Sequence, residues 1–169
     1  MKNKFGFILV KPQLGENIGA CARSMKNFGF SKLYIVDPKI NFPNNKAKAT
    51  SVGAKDIIKK AKVFKKVEQA INPFNLVISF SARRRDINKK HISLKELRKI
   101  VKKKNLNVGL MFGPEASGLS NQDLSFANYI LQIPTSSKFK SLNLSHSLTI
   151  ICYEIFKLFN EKKIQKINP

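Results

Sequence analysis

The segment IPTSSKFKSLNLSHSLTIICYEIF, residues 133–156, joins the end of an apolar run to a long amphipathic helix pattern through a short polar and basic loop. The apolar run stops at Pro134, and Ser141, Leu142 and Asn143 stand where the helix begins. The first backbone N–H groups of a helix have no partner inside the helix. Ser141 or Asn143 is therefore either an ordinary helix cap or a residue that holds a ligand at the helix start.

The same order of apolar run and helix pattern recurs along the chain. Short runs rich in β-branched and aromatic residues predict strands at 5–10, 32–37, 61–64, 75–80, 107–112 and 129–134. Segments with helical periodicity predict helices at 17–28, 47–60, 66–71, 93–104, 120–126 and 142–162. Strands that alternate with helices indicate an α/β fold with a parallel sheet covered on both faces.

Length and composition bound the class of protein. The 169 residues are 43% hydrophobic and 25% charged, which predicts one globular domain over 1–169 with a frayed basic tail at 163–169. No run of 18 apolar residues is present, and a polar segment follows Pro12 where a secretory signal needs small residues. Cys21 and Cys152 are too few for a disulfide framework or a metal cluster. We therefore expect a soluble, cytoplasmic protein with neither a membrane segment nor a bound metal.

The charge is strongly positive, with 32 Lys and Arg against 10 Asp and Glu and a formal net charge of +22. A biased genome rich in lysine would scatter these residues over every exposed surface. Residues 83–104 instead hold 11 of the 32 basic residues and only two acidic ones, Asp86 and Glu96. Clustering of this kind favours a surface that binds nucleic acid.

Three segments stand where strands are expected to end, which is where parallel α/β sheets bind their ligands. They are SFSARRRD after the strand at 75–80, MFGPEASGLS after 107–112, and IPTSSKFKSLN after 129–133. Neither a GxGxxG nor a GxxxxGK[ST] pattern occurs at any of them. A cofactor at this edge would therefore be bound in another way than in a dinucleotide fold or a P-loop.

The exit of the first strand carries PQLGENIGACARSMKNFGF, residues 12–30. Asn17 is predicted to cap a helix and Gly29 to end it, while Gly19 and the neighbouring alanines make one face of that helix thin. Arg23 lies near the helix start, where a cation is unfavourably placed against the helix dipole. This position favours a functional role for Arg23, although an ordinary surface arginine explains it equally well.

Taken together, NIGACARSMKNFGF, MFGPEASGLS and IPTSSKFKSLNLSHSLTIICYE resemble the three motifs of the SpoU-type branch of the SPOUT RNA ribose 2′-O-methyltransferases. The resemblance covers residues 5–157 and implies a homodimer, S-adenosylmethionine as methyl donor, and a C-terminal trefoil knot. It also implies that the cofactor lies in the knot loops. By position these are Phe80, Ser81, Ala82, Gly113, Glu115, Ile133, Ser141, Leu142 and Asn143.

The resemblance assigns catalysis to Arg23, with Glu115 and Asn143 as positioning residues. A guanidinium is effectively always protonated, so two roles stay open for Arg23. It acts either as a base with help from its surroundings, or as a cation that binds the adjacent phosphate and stabilises developing alkoxide charge. The basic residues expected to contact RNA are Arg23, Arg83, Arg84, Arg85, Lys138 and Lys140.

Within the family, GACARSMKNFGF and SARRRD resemble most closely the enzymes that methylate cytidine and uridine riboses in tRNA. The expected substrate is the anticodon stem-loop, with nucleotide 32 as target. Alternatives in the same class are the wobble nucleotide 34 and ribosomal RNA. A non-catalytic RNA-binding protein, and a nucleotide-binding α/β enzyme whose charge reflects genome bias, are the alternatives from other classes.

Overall fold

In the computed structural model, which describes residues 2–82 and 87–164, a sheet of seven parallel strands forms the centre of the molecule. The strand order is β3-β2-β1-β6-β4-β7-β5, and all six pairs of neighbouring strands are parallel. The strands are β1 (Phe5–Val10), β2 (Leu33–Val36), β3 (Lys62–Phe64), β4 (Leu76–Phe80), β5 (Lys90–Ile92), β6 (Val108–Phe112) and β7 (Tyr129–Leu131). The predicted parallel α/β fold is confirmed.

Helices cover both faces of the sheet. They are α1 (Gly15–Asn27), α2 (Asn45–Thr50), α3 (Lys55–Lys60), α4 (Val67–Ile71), α5 (Leu94–Val101), α6 (Asn121–Ser125) and α7 (Leu144–Ile164), with single 3₁₀ turns at Lys2–Lys4 and Val52–Ala54. Buried residues of α1, α2, α3, α5 and α7 share one core, and those of α4 and α6 share the other. The result is a three-layer arrangement in which every long helix packs on the same side.

Strand β1 lies at the centre and explains why the sequence FGFILV has no polar residue. All six of its residues are buried. Successive side chains of a strand point to opposite faces, so Phe7 and Leu9 enter the core below α1 and α7, while Ile8 and Val10 enter the core below α4 and α6. A strand buried on both faces reads as a continuous apolar run.

The predicted single helix at 47–60 is wrong. The chain leaves the helix after Thr50, makes the 3₁₀ turn, and begins α3 at Lys55. Val52 has φ = 46°, in the left-handed region that a β-branched residue rarely adopts, and the Ser51 hydroxyl donates to the Lys48 carbonyl. These local features interrupt the helix although the apolar periodicity runs through it.

Strand β5 was not predicted. It has three residues, Lys90–Ile92, at the edge of the sheet inside the basic segment 83–104. So short and polar a run lacks the apolar pattern that identifies a strand. It is formed by pairing with β7, which joins Lys90 to Tyr129 and Ile92 to Leu131.

Two local predictions about α1 and the cysteines are confirmed. Helix α1 ends at Asn27, and Gly29 has φ = 76°, as expected of a glycine that follows a helix. Cys21 and Cys152 are free and buried in the same core. Burial raises the pKa of both thiols, with a smaller contribution to Cys21 from the negative charge of Glu115. They therefore stay uncharged core side chains.

The strands of the C-terminal half do not lie in the sheet in the order of the chain. Strand β7 lies between β4 and β5, which precede it in the chain, and α7 then packs against both α1 and α5. Part of the connection between β4 and β5, residues 83–86, lies outside the described residues. The trefoil knot is implied by the family resemblance, and the order of the strands agrees with it.

Gly19 is predicted to be essential for packing α1 on α2. A Cβ there would lie 1.9 Å from the Thr50 hydroxyl and 2.3 Å from the Ala47 carbonyl oxygen. Gly19→Ala should lower the free energy of unfolding by about 1–3 kcal/mol because the helices must separate, as measured by urea denaturation. Gly53→Ala is the matched control, since nothing lies within 4 Å of its added Cβ; a change within about 0.5 kcal/mol is expected there. Equal losses in both variants would contradict the packing argument.

Candidate active site

A cavity of about 520 Å³ opens where β4 and β6 end and where the loop after β7 turns into α7. Ligand pockets typically have volumes of this order. The lining residues are Phe80, Ser81, Ala82, Phe112, Gly113, Pro114, Glu115, Ala116, Ser117, Gly118, Ile133, Lys140, Ser141, Leu142, Leu144 and Ser147. All three strand exits singled out in the sequence therefore meet in one place.

Most of the residues expected to hold a cofactor line this cavity. They are Phe80, Ser81, Ala82, Gly113, Glu115, Ile133, Ser141 and Leu142. Asn143 does not line it and is the residue before the first residue of α7. Their contact with a cofactor stays a prediction, but the chain does bring these separate segments to one cavity.

Two aromatic rings form an apolar wall. Phe80 and Phe112 end neighbouring strands β4 and β6, and their rings are stacked with centroids 4.5 Å apart and an interplanar angle of 12°. Both side chains are buried. They give the cavity a rigid apolar side opposite the backbone-rich loops.

The loop after β6 folds tightly over the end of its strand. A Cβ on Gly113 would lie 2.3 Å from the Leu119 nitrogen, and Gly118 has φ = 68°. Glycine at both positions lets the backbone of 113–119 turn back on itself. The turn exposes its own backbone to the cavity, as in a site that recognises a ligand through main-chain groups.

Glu115 ties this loop to the first strand exit. Its Oε2 accepts a hydrogen bond from the Gln13 amide at 2.8 Å, and its Oε1 accepts from the Leu14 amide at 3.2 Å and from Asn17 Nδ2 at 3.0 Å. In return the Ala116 amide donates to Gln13 Oε1 at 3.0 Å. Hydrogen bonds to a carboxylate are stronger than those between neutral groups, so these contacts hold the two loops together.

Asn17 continues the network to the third motif. Asn143 Nδ2 donates to Asn17 Oδ1 at 3.3 Å, and Asn143 Oδ1 accepts from the amide and hydroxyl of Ser145 at 2.9 and 2.7 Å. Asn143 is thus both a cap of α7 and a link to α1. Asn143 is therefore a cap, as the first reading of the opening segment has it, and its contact with a ligand stays a prediction.

The predicted role of Asn17 as a helix cap is wrong. Helix α1 begins at Gly15, its N-cap Leu14 offers no side-chain cap, and Asn17 lies inside the first turn with 8% of its surface exposed. The amides of Gln13 and Leu14 are satisfied by the Glu115 carboxylate from another part of the chain. Glu115 thus binds the segment directly before α1, and the helix has no side-chain cap at Leu14.

Arg23 lies on α1, is exposed, and does not line the cavity. At 1.5 Å per residue it sits roughly 9 Å farther along the helix axis than Asn17, and on a different side. The Asn17 side of the helix continues at Ser24, whose hydroxyl pairs with Thr149 of α7 at 2.6 Å. The structure therefore brings Glu115 and Asn143 together but leaves the third predicted catalytic residue outside the cavity of its own chain.

The predicted RNA contacts are placed in part. Lys140 lines the cavity and Lys138 is exposed on the same loop. Arg83, Arg84 and Arg85 lie outside the described residues. Among the described residues, no group of three or more His, Cys, Asp or Glu could hold a metal ion, and no helix has the length and apolarity needed to cross a membrane.

Some lining residues were missed in the sequence. They are Phe112, Pro114, Ala116, Ser117, Gly118, Leu144 and Ser147. Most of them belong to MFGPEASGLS or to the segment after SLN, which had been identified as motifs. The signal for these residues is the motif as a whole, because neighbouring residues of each motif line the same cavity.

The parallel α/β fold and the three motifs around the cavity agree with the class of SpoU-type RNA methyltransferases. The chain belongs to the SpoU rRNA methylase family, whose model matches residues 4–153. The match includes every segment that surrounds the cavity.

Individual relatives point to one subgroup. The chain is 37% identical over 164 residues to the tRNA (cytidine-2′-O-)-methyltransferase TrmJ of Methanocaldococcus jannaschii, covering 95% of this chain and 71% of that protein. It is 35% identical over 157 residues to the tRNA (cytidine/uridine-2′-O-)-methyltransferase TrmJ of Pectobacterium atrosepticum, covering 92% and 65%. The crystal structure of TrmJ from Z. mobilis ZM4 superposes with a TM-score of 0.86 at 35% identity, covering 90% and 69%. The chain thus spans about two thirds of the length of these relatives.

Glu115→Gln is predicted to loosen the cavity. A glutamine has one acceptor oxygen in place of two, so the donors at Gln13, Leu14 and Asn17 cannot all be satisfied. We expect the free energy of unfolding to fall by about 1–3 kcal/mol in chemical denaturation. Glu68→Gln, at an exposed position on α4, is the control and should be within about 0.5 kcal/mol of the unchanged protein. If the two variants were equally stable, the network would not hold the loops.

Proposed function

We propose that this chain transfers a methyl group from S-adenosylmethionine to the 2′-hydroxyl of a cytidine or uridine ribose in the tRNA anticodon loop, at nucleotide 32. The observation that carries the proposal is the hydrogen-bonded cavity in which all three motifs meet, with Glu115, Asn17 and Asn143 as its frame. The names of the TrmJ relatives support the choice of tRNA and of a pyrimidine.

The cavity suits S-adenosylmethionine. Its stacked Phe80 and Phe112 offer an apolar wall to an adenosine, and the exposed backbone of 113–118 offers polar groups to the ribose and the amino acid part. When bound, this cofactor supplies an electrophilic methyl group on a sulfonium. Phe80, Gly113, Ile133 and Leu142 would hold it, and no charged pocket for a phosphate is needed.

The residues of the chain then have separate tasks. Glu115 and Asn143 keep the loops in register, so that the substrate oxygen can be aligned with the methyl group. Arg23, a permanent cation, binds the phosphate beside the target and stabilises the charge that develops on the ribose oxygen. In this role Arg23 stays protonated, so the reaction does not require a neutral guanidinium as base.

We further propose a homodimer in which Arg23 serves the cavity of the second copy. Arg23 is exposed and does not line the cavity of its own chain. Close by, α1 and α7 present an aromatic surface in which Phe28 contacts Tyr153 and Phe156, with ring centroids 6.1 and 5.5 Å apart. Tyr153 is 46% exposed. A second copy would cover this surface and complete the site.

Other substrates in the same class remain alternatives to nucleotide 32. They are the wobble nucleotide of tRNA and a ribose of ribosomal RNA, which the family name itself mentions. A protein that only binds RNA is the alternative from another class. Since tRNA modification takes place where tRNA is used, we also propose a cytoplasmic location and one catalytic domain over residues 1–169.

Methyl transfer to unmodified tRNA is the direct test. The purified chain is incubated with labelled S-adenosylmethionine and bulk unmodified tRNA, and nuclease fragments are mapped by mass. A 2′-O-methyl group on the pyrimidine at nucleotide 32 is expected. A mark at nucleotide 34 would select the wobble alternative, and transfer to ribosomal RNA alone would overturn the tRNA assignment. Cofactor binding without any transfer would leave an incomplete enzyme, and no cofactor binding would leave only an RNA-binding protein.

Arg23→Ala is predicted to reduce turnover at least about a hundredfold while cofactor affinity changes less than about twofold, because the cation acts on the substrate oxygen and its phosphate. Single-turnover transfer and calorimetric titration with S-adenosylmethionine measure the two quantities. Lys26→Ala, an exposed cation one turn farther along α1 that pairs with Asp56, is the matched control and should keep full activity. Near-normal turnover of Arg23→Ala would exclude the proposed role.

Mixed dimers decide whether Arg23 acts across the interface. Arg23→Ala is co-expressed with Ala82→Trp, which blocks the cavity and should abolish cofactor binding. If Arg23 serves the second copy, each mixed dimer has one complete site, and about a quarter of the wild-type activity should return. If Arg23 serves its own chain, each mixed dimer has two defective sites and no activity returns.

A further inference from the structure

Phe139 is the most exposed large apolar side chain among the described residues. It is 77% exposed, against 54% for Val52 and 50% for Leu14 and Val63. A single exposed apolar residue is ordinary on a protein surface. What distinguishes Phe139 is its place, between Lys138 and Lys140 at the mouth of the cavity, where Lys140 and the following Ser141 are lining residues.

The loop that carries Phe139 is closed by its own hydrogen bonds. The Phe139 amide donates to the Ser136 carbonyl at 3.2 Å, and the Lys138 amide donates to the Ser136 hydroxyl at 3.3 Å. The Thr135 hydroxyl reaches the Lys140 carbonyl at 3.5 Å. These contacts place Phe139 at the end of a turn over residues 136–139, with most of its side chain exposed.

The charged residues next to Phe139 in the sequence are all positive. Between Asp123 and Glu154 the sequence has no acidic residue, while Lys138 and Lys140 flank the ring. An anion that approaches the cavity from this side meets two cations and no competing carboxylate on the loop. Lys138 and Lys140 are both exposed, so both are accessible to a polyanion.

An exposed aromatic ring between two cations is the arrangement with which proteins bind unpaired nucleotides. Bases stack on the ring, and lysines contact the phosphates on either side. A methyl acceptor inside a loop must present its ribose to the cavity, which leaves its base and those beside it outside. The ring at the mouth of the cavity is placed to receive such a base.

We propose that Phe139 stacks on an unpaired nucleobase of the RNA substrate, with Lys138 and Lys140 on the adjoining phosphates. The proposal rests on the proposed RNA methyltransferase function and names the residue that engages the base. Stacking on a ring tolerates different bases, so Phe139 would position the loop and leave discrimination between bases to other contacts.

The test compares four variants for binding of an unmodified anticodon stem-loop RNA, measured by fluorescence anisotropy. Phe139→Ala and Phe139→Leu should raise the Kd about 5- to 150-fold, the range of stacking losses, whereas Phe139→Tyr and Phe139→Trp should stay within about twofold of the unchanged protein. An aromatic requirement of this kind would not follow from simple apolar contact. Equal binding by the Leu and Tyr variants would overturn the proposal.

Salt dependence separates stacking from charge. The slope of log Kd against log salt should be the same for Phe139→Ala and the unchanged protein, while Lys138→Ala should reduce it by about one phosphate contact. Val63→Ala, which removes a half-exposed apolar side chain of β3 away from the cavity, is the control and should leave RNA binding unchanged. A changed slope in Phe139→Ala would contradict the assignment of the ring to a base.

Two further measurements distinguish other roles for Phe139. A rise in the Kd of S-adenosylmethionine for Phe139→Ala would make the ring a lid of the cofactor, and a shift to monomer in light scattering would make it a dimer contact; either result would overturn the proposal. Methyl transfer by the unchanged protein is measured separately. If that transfer failed while binding still required an aromatic residue at 139, the proposed function would be wrong and the stacking role would stand.

Discussion

The Glu115 carboxylate is the interaction on which the arrangement of the site depends. Its two oxygens accept three hydrogen bonds from the segment 13–17, at the start of α1. Asn17 then carries the link to Asn143 and hence to the start of α7. One charged side chain on a tight glycine loop thus sets the relative positions of three loops that are far apart in the chain. It also accepts from the amide of Leu14, the N-cap of α1, which has no partner inside the helix.

The residues that form the frame of the site differ from the exposed residues around it. The frame consists of the sheet ends, the stacked Phe80 and Phe112, and the Glu115 network. In contrast, Arg23, Lys138 and Phe139 are exposed, and none of them lines the cavity. In the proposed function, the cofactor would be held within one chain and the RNA would be bound by the exposed residues, which fits a protein with a net charge of +22.

Much of the fold could be predicted because its signals are local. The buried strand β1, the glycine after α1 and the apolar runs of β4 and β6 follow from period and composition. The errors also have local causes. The break at Val52 depends on a strained backbone angle that periodicity does not register, and β5 depends on a neighbour that arrives later in the chain. The cavity residues, both those predicted and those missed, lie in the motifs and strand exits that the sequence singled out, because those segments follow the strands that end at the cavity.

The sequence by itself determined the layering of the fold, the buried central strand, the basic character and the three motifs. Only the tertiary structure decided that Asn17 is a bridge and not a cap, because its partners Glu115 and Asn143 stand 98 and 126 residues away. It also decided that Arg23 lies outside the cavity of its own chain and that Phe139 stands at the cavity mouth. The physical reason is that the periodicity of apolar residues indicates which face of a helix or strand is buried. Contacts between loops depend instead on the order of the strands in the sheet, which periodicity does not contain.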